Sequence, residues 1–169
     1  MTSATKQFLT NQCQFNKGFS LLEVMIAMVI FAVGVLGLAG MQALALENSF
    51  ESASRNQAII LAYSMSDRML ANQQGKDAYI IDDVTVPTIV TDCNLVNCAT
   101  IAEIITFDQV KWKQNLAQQL LSGSGAITGA SPNYTITVRW DEDRNGVAGT
   151  NCPPQSANDL RCFQLQVKL

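Results

Sequence analysis

A long apolar run near the amino terminus constrains this chain more than any other feature. From Val24 to Met41 no residue carries a charged or amide side chain, and only Glu23 and Gln42 interrupt the wider segment 21–46. A membrane-spanning helix needs about 20 predominantly apolar residues, whereas the apolar core of a secretory signal peptide usually has about 7–15. The run therefore predicts one transmembrane helix over residues 21–46.

The charges before this run predict its orientation. Residues 1–18 contain Lys6 and Lys17 and no acidic residue. Because basic flanks stay in the cytoplasm, we expect the amino terminus inside the cell and most of the chain outside the membrane. Ordinary signal peptidase is an alternative, since Ala43-Leu44-Ala45 fits its small-residue pattern. Cleavage there would release a soluble periplasmic protein.

The composition excludes several classes of function. The 169 residues include no histidine, which removes Ser-His-Asp and Cys-His catalysis and every histidine-ligated metal site. Acidic residues outnumber basic ones by 14 to 11, which argues against nucleic acid as a direct partner. No acid pair or nucleophile–base set stands out. We therefore expect neither an enzyme nor a cofactor site.

Cysteine usage agrees with an exported main body. Cys13 precedes the apolar run and four further cysteines follow far beyond it. An even number in an exported region predicts two disulfides, and four cysteines allow three pairings. Proximity favours Cys93–Cys98 and Cys152–Cys162. A zinc site with all four as ligands is the alternative, but the paired CxxC spacing is missing.

Glu23 lies just inside the apolar run. A carboxylate costs about 2.5–3.5 kcal/mol at the middle of a bilayer and less near its edge. Residues 17–24 read KGFSLLEV. This segment resembles the type IV prepilins, which share a short basic leader, a glycine, a phenylalanine, a small hydroxyl residue, two aliphatic residues and a glutamate before a long apolar helix. The resemblance implies cleavage between Gly18 and Phe19 by the prepilin peptidase, followed by N-methylation of Phe19.

The resemblance also gives Glu23 a role in assembly. Cleavage after Gly18 creates an α-ammonium at Phe19, which could neutralise Glu23 of a neighbouring subunit in a filament. A buried ion pair adds little net stability, but an unpaired member costs about 3–5 kcal/mol. We therefore expect the pair to set the axial register of subunits more than the strength of the filament.

Beyond the leader (1–18), the sequence predicts an α+β, pilin-like lollipop. A long helix over 19–72 is followed by a periplasmic globular head over 73–169, with a second helix and a small antiparallel sheet. No proline precedes Pro87, and Gly75 is suited to cap the long helix. The apolar stripe of its outer half is expected to pack on the head. Its members are Phe50, Ala53, Gln57, Ile60, Leu61, Ser64, Met65 and Met69.

Local patterns predict the elements of the head. Thr106 and Gln109 have the spacing of a capping box before the second helix. Residues 122–129 (SGSGAITG) indicate a flexible loop. Residues 134–140 and 162–169 alternate as half-buried strands that we expect to pair antiparallel. The last strand is expected at a sheet edge, where it could bind a partner.

The connection between these strands contains a candidate calcium loop. Asp141, Asp143 and Asn145 match the first half of the D-x-D-x-N-G pattern. The twelfth place, which should be glutamate, is Cys152. Since half of the ligand set is missing, a turn built on Asn145-Gly146 is favoured over a metal site.

The PilV branch of minor pilins shares several features with this chain: residues 32–42 (AVGVLGLAGMQ), Asn56, Ala62 and residues 67–72 (DRMLAN). The resemblance is specific over residues 17–72 and looser over 73–169. This resemblance implies a low-abundance subunit at or near the pilus tip that primes assembly and supports twitching motility, adhesion and DNA uptake. The implied partners are the prepilin peptidase, other minor pilins, the major pilin, a tip adhesin and the inner-membrane assembly platform. The implied location is the bacterial inner membrane before assembly and the extracellular pilus afterwards.

Two other functions stay open from the sequence. A minor pseudopilin of a type II secretion system shares the same leader. A membrane-anchored periplasmic binding or enzymatic domain is the second alternative.

Overall fold

The computed structural model describes residues 18–88 and 91–169. Its elements are α1 (Leu21–Ala71), a 3-10 helix (Gln73–Tyr79), α2 (Ile101–Gln119), β1 (Ser124–Ala130), β2 (Asn133–Trp140) and β3 (Arg161–Lys168). They form two compact units that divide between Ala45 and Leu46. A long apolar amino-terminal helix, a second helix and a small antiparallel sheet confirm the predicted α+β fold class.

Helix α1 ends close to the predicted position but without the predicted cap. The backbone N–H of Asn72 donates to the carbonyl of Arg68 (3.2 Å), and the chain then turns directly into the 3-10 helix. Gly75 lies inside that 3-10 helix, so the prediction that it caps α1 was wrong. A Cβ at Gly75 would lie 2.7 Å from the side chain of Ile101. Glycine is therefore used here for close packing against α2.

The face of α1 that enters the core differs from the predicted stripe. Phe50 and Ile60 are each 59% exposed, whereas Ala58 and Ala62 are fully buried. Leu61, Met65 and Met69 are buried as predicted. Small residues at two of the buried positions allow α1 to approach its neighbours closely, which a count of apolar spacing does not reveal.

Helix α2 begins earlier than its predicted capping box. The Thr100 hydroxyl accepts the backbone N–H of Glu103 (3.2 Å), and the Glu103 carboxylate accepts the backbone N–H of Thr100 (3.0 Å). The box is thus Thr100–Glu103 and the Thr106–Gln109 prediction was wrong. The indole N–H of Trp112 donates to the carbonyl of Leu61 (3.0 Å), which fixes α2 against α1.

The sheet has three antiparallel strands in the order β1-β2-β3. The predicted pairing of the last two strands is confirmed, with Ile136 opposite Leu165. The predicted flexible loop is instead strand β1, and this part of the prediction was wrong. Gly125 in β1 lies under α2, where a Cβ would meet Trp112 at 2.6 Å. Gly125, one of the glycines that suggested a loop, therefore permits the strand to pass close beneath α2.

The apolar core of the head lies between this sheet, α2 and the second half of α1. The apolar residues of β3 pack against this core and stay partly exposed. They lie on one face of the strand, as the alternation of apolar and polar residues predicted. They are Phe163, Leu165, Val167 and the following Leu169.

Candidate functional site

The predicted cleavage point lies just before α1. Backbone N–H groups of Glu23 and Val24 donate to the carbonyl of Ser20, at 3.0 and 3.3 Å, and so begin the helix. Gly18 and Phe19 precede this first turn and are exposed. Exposed backbone outside regular structure is the form in which chains are most readily cut. Lys17 lies outside the described residues.

Gly18 has no packing or conformational reason to be glycine within the described chain. A Cβ built on it would have no atom within 4 Å, and its φ is not among the positive values found at Gly129 and Gly146. A side chain at this position would therefore be tolerated by the fold. If glycine is required here, the requirement comes from a protein that binds the segment.

Glu23 lies in a shallow apolar depression on the surface of α1. The depression is lined by Phe19, Glu23, Val24, Ala27, Met28 and Phe31. The Glu23 side chain is exposed, and within residues 18–88 and 91–169 no salt bridge involves it. The only charge in the first half of α1 thus stands between apolar side chains and is open to a group supplied from outside.

The apolar half of α1 is unusually exposed. One 18-residue window has a mean hydropathy of 2.6, and none of it is buried. By length and composition this helix can cross a membrane. A helix that is apolar all round is stable only when lipid or other protein surrounds it. This half of α1 therefore requires an environment that residues 18–88 and 91–169 do not supply.

The structure places both favoured cysteine pairs at disulfide-bonding distance. The Cα atoms of Cys93 and Cys98 are 5.2 Å apart, and those of Cys152 and Cys162 are 5.9 Å apart. The first pair closes the loop before α2, and the second ties the connection after β2 to the start of β3. The two pairs do not converge, and among the described residues no cluster of three or more potential metal-ligating side chains occurs.

Glu103 holds together the chain on both sides of the first cysteine pair. Its carboxylate accepts the Thr91 hydroxyl (2.7 Å) on one side and the backbone N–H of Ala99 (2.9 Å) on the other. These hydrogen bonds, led by that of Thr91, lower the pKa of Glu103. The same carboxylate therefore caps α2 and closes the loop.

The calcium candidate is built as a turn. The buried Asp141 carboxylate accepts the backbone N–H groups of Asn145 (3.3 Å) and Gly146 (2.9 Å). Asn145 Oδ1 accepts the backbone N–H of Val147 (3.2 Å). Asp143 is exposed. Oxygen atoms of two of the three candidate ligands thus bond backbone amides, as in an Asx-type turn. This is the turn that the sequence favoured over a calcium site.

Sequence reasoning missed a polar cluster inside the head. The buried Asp108 carboxylate forms a salt bridge with Arg68 of α1 and accepts the Tyr79 hydroxyl (2.8 Å). Burial, and then this hydrogen bond, raise the pKa of Tyr79. Asp108 is four residues before Trp112 and therefore lies on the same face of α2 as this core residue. An acidic residue on the apolar face of a helix was the sequence signal that could have indicated the cluster.

A buried lysine forms a second such feature. The Lys113 ammonium donates to the carbonyls of Asp82, Asp83 (2.9 Å) and Gly125 (2.6 Å). Burial lowers its pKa. Lys113 thereby joins α2 to the segment after the 3-10 helix and to β1. Asp108 and Lys113 thus each hold several elements of the head together.

Comparison with known families identifies only the amino-terminal segment. Residues 14–39 match the family described as the prokaryotic N-terminal methylation motif. No curated protein and no solved structure matches the chain. The matched range includes Gly18, Phe19, Glu23 and much of the apolar run, and it does not reach the head. The match is confined to this motif, which type IV pilins and pseudopilins share.

Proposed function

We propose that this chain is a minor pilin of a type IV pilus. It is cleaved between Gly18 and Phe19, N-methylated at Phe19, and helps to prime pilus assembly at or near the tip. The observation that carries the proposal is an exposed glutamate inside an unburied apolar helix, within a matched methylation motif. The function is structural.

The geometry around Gly18 supports the processing step. The Gly18–Phe19 bond precedes the helical turn that begins at Ser20, so a peptidase can bind it in an extended form. The open space at Gly18 shows that the fold itself does not select glycine. We infer that the peptidase selects it, through close contact with the backbone.

The environment of Glu23 supports the assembly step. Its carboxylate stands in an apolar depression with no salt-bridge partner in the described chain. The α-ammonium that cleavage creates at Phe19 of an adjacent subunit is a matching charge. Leaving one member of such a pair buried alone costs about 3–5 kcal/mol. Subunits therefore prefer the axial displacement at which the two charges meet.

The head and the exposed half of α1 have separate roles in this proposal. Before assembly, α1 anchors the subunit in the inner membrane with the amino terminus in the cytoplasm and residues 73–169 in the periplasm. In the filament, α1 joins the core and the head faces outward. The proposed partners are other minor pilins, the major pilin, a tip adhesin and the inner-membrane assembly platform. Twitching motility, adhesion and DNA uptake are the proposed roles of the fibre.

A minor pseudopilin of a type II secretion system is the second candidate, since the matched motif is shared by both classes. Deletion of the gene separates the two functions. Loss of surface pili and twitching with normal exoprotein secretion supports the minor pilin. Loss of secretion with normal pili supports the pseudopilin and contradicts our first proposal.

Processing is tested on the unaltered chain, and assembly is tested on a variant of Glu23. Mass spectrometry of the mature protein should find N-methylated Phe19 at its amino terminus; an unprocessed chain in a strain with active prepilin peptidase would contradict the proposal. Glu23→Val should be processed and inserted normally but recovered at least about tenfold less in sheared pili. Glu47→Val, an exposed acid on the same helix, is the matched control and should be recovered normally.

A further inference from the structure

The connection between β2 and β3 contains the one Asn-Gly pair of the sequence, Asn145-Gly146. Asparagine is among the heat-labile residues of proteins. It is lost when the backbone nitrogen of the next residue attacks the side-chain amide carbon, and a following glycine has no Cβ to hinder this approach. Asn145 and Gly146 are both exposed, so water reaches the pair. The pair is therefore a candidate for chemical modification.

The conformation of the turn requires glycine at position 146. The φ of Gly146 is 73°, in the left-handed region that residues with a Cβ disfavour. A Cβ built there meets no atom of the described chain within 4 Å, so packing does not select the glycine. The fold therefore keeps a labile pair at a position where any other residue after the asparagine would be strained.

A buried carboxylate holds the nitrogen that would attack. Asp141 is 4% exposed, and its Oδ2 accepts the Gly146 N–H at 2.9 Å. This hydrogen bond must break before the nitrogen can lose its proton and reach Cγ of Asn145. A carboxylate is too weak a base to remove that proton itself. Negative charge that develops on the nitrogen would also be repelled by the adjacent Asp141, so both effects raise the barrier.

The asparagine that would be attacked is held as well. Asn145 Oδ1 accepts the backbone N–H of Val147 at 3.2 Å, which fixes the direction of the side-chain amide. The backbone N–H of Asn145 donates to Asp141 Oδ1 at 3.3 Å, which fixes the peptide before it. Three hydrogen bonds, two of them to Asp141, therefore restrict the motion that ring closure needs.

The same turn contacts the second half of α1. The guanidinium carbon of Arg144 lies 5.5 Å from the centre of the Phe50 ring, within the range of a cation–π contact. Arg144 has a φ of 54°, a strained conformation for a residue with a Cβ, which persists only where the surrounding bonds impose it. A change in the backbone at Asn145 would therefore displace Arg144 from Phe50.

We propose that Asn145 is a site of spontaneous deamidation and that Asp141 slows it by holding the Gly146 N–H. A bond forms between Gly146 N and Asn145 Cγ, the Cγ–Nδ2 bond breaks, and the side-chain NH2 leaves with the Gly146 proton as ammonia. Water then opens the cyclic imide at Cγ to give aspartate, or at the backbone carbonyl to give isoaspartate. Isoaspartate lengthens the backbone by one methylene group and releases Arg144 from α1. This inference does not require the proposed pilus function.

The test compares the full chain in detergent micelles with a peptide of residues 141–147 that has blocked termini, both in a mildly alkaline buffer. Mass spectrometry measures the exchange of ammonia for water at Asn145, and labelling by an isoaspartyl methyltransferase measures isoaspartate. The folded chain should convert at least about tenfold more slowly than the peptide, which is the effect of one hydrogen bond to a charged group. Equal rates in the chain and the peptide would overturn the proposal.

Two variants separate the Asp141 carboxylate from the general order of the turn. Asp141→Asn should convert at Asn145 about tenfold faster than the unaltered chain and exchange the Gly146 amide hydrogen faster, with the amide of Ile136 in β2 still protected. Asp143→Asn, the matched change of an exposed acid, should leave both rates unaltered. An unchanged conversion rate in Asp141→Asn, or equal acceleration in both variants, contradicts the proposal. The comparison of the unaltered chain with the peptide is independent of how the Asp141 variant folds.

Discussion

Arg68, near the end of α1, and Asp108, in the middle of α2, form a salt bridge inside the head. The side chain of Asp108 is 12% exposed and that of Arg68 is 32% exposed. The same carboxylate also accepts the hydroxyl of the buried Tyr79. One acidic side chain therefore fixes the two helices and the 3-10 helix between them in a single arrangement.

Asp108→Asn should lower the free energy of unfolding of the head by about 2–3 kcal/mol. The variant leaves Arg68 without its counterion, and the loss falls below the range for a fully buried pair because Arg68 is partly in water. Urea unfolding followed by tryptophan fluorescence measures it. The control is Asp67→Asn, which changes the exposed acidic residue directly before Arg68. It should change the free energy of unfolding by less than about 0.5 kcal/mol. Equal losses in the two variants would contradict this role of Asp108.

The stability of the head should depend on the charge of Glu103. Hydrogen bonds from Thr91, Thr100 and Ala99 hold its pKa below the ordinary value of about 4.3. A carboxylate with a lowered pKa in the folded state stabilises the fold above its unfolded pKa, and this contribution is lost as the pH falls through the folded pKa. The unaltered chain should therefore lose stability below about pH 4 for this reason.

Glu103→Gln tests this dependence. The variant should have a lower thermal unfolding midpoint than the unaltered chain at pH 7, and the two midpoints should converge towards pH 3. A gap of constant size across this range would show that the charge of Glu103 does not stabilise the fold. Asp143→Asn, an exposed acid outside this loop, should follow the unaltered chain at every pH.

Gly125→Ala should destabilise the head by about 1–3 kcal/mol, the usual cost of overpacking a filled core. The added methyl group would lie 2.6 Å from Trp112 and 2.9 Å from the Thr137 carbonyl, and the backbone cannot move aside cheaply. Gly37→Ala is the matched control, since a Cβ there meets no atom within 4 Å. Thermal unfolding of both variants should show a lower midpoint for Gly125→Ala alone.

The two cysteine pairs should contribute unequally. Replacing Cys152 and Cys162 with serine opens a loop with a sequence separation of 10 and should cost about 3 kcal/mol. Replacing Cys93 and Cys98 opens a separation of 5 and should cost about 2 kcal/mol or less, since Glu103 still holds the flanks. Urea unfolding of the two double variants under oxidising conditions gives the comparison. A larger loss of stability on replacing Cys93 and Cys98 than on replacing Cys152 and Cys162 would contradict the role of Glu103 in holding the flanks of that loop together.

The sequence alone was sufficient to predict those elements in which the local residue pattern agrees with the burial found in the fold. The extent of α1 follows from a long run of helix-forming residues without proline, and the observed end at Ala71 is within one residue of the prediction. Strand β2 was recognised because its side chains alternate between a fully buried and a less buried face. The amino-terminal motif was recognised because Gly18, Phe19 and Glu23 are adjacent in the chain, so no tertiary contact is needed to bring them together.

Tertiary structure decided which face of α1 is buried. The second half of α1 has apolar residues on more than one side, so spacing alone left its rotation undetermined. Contacts with α2 and the sheet selected the face with Ala58 and Ala62, and left Phe50 and Ile60 exposed. The choice depends on how closely the neighbouring elements approach, which local pattern does not record.

The sequence by itself determined the long apolar helix, the amino-terminal methylation motif and the alternating strands, since each depends on residues that are neighbours along one element. Only the tertiary structure made a strand of residues 124–130, placed Asp108 and Lys113 in the interior, and paired Ile81 with Ile127 at the edge of β1. The physical reason is that burial energy and hydrogen-bond satisfaction are set by partners distant in the chain. A glycine or a charge takes its structural role from those partners.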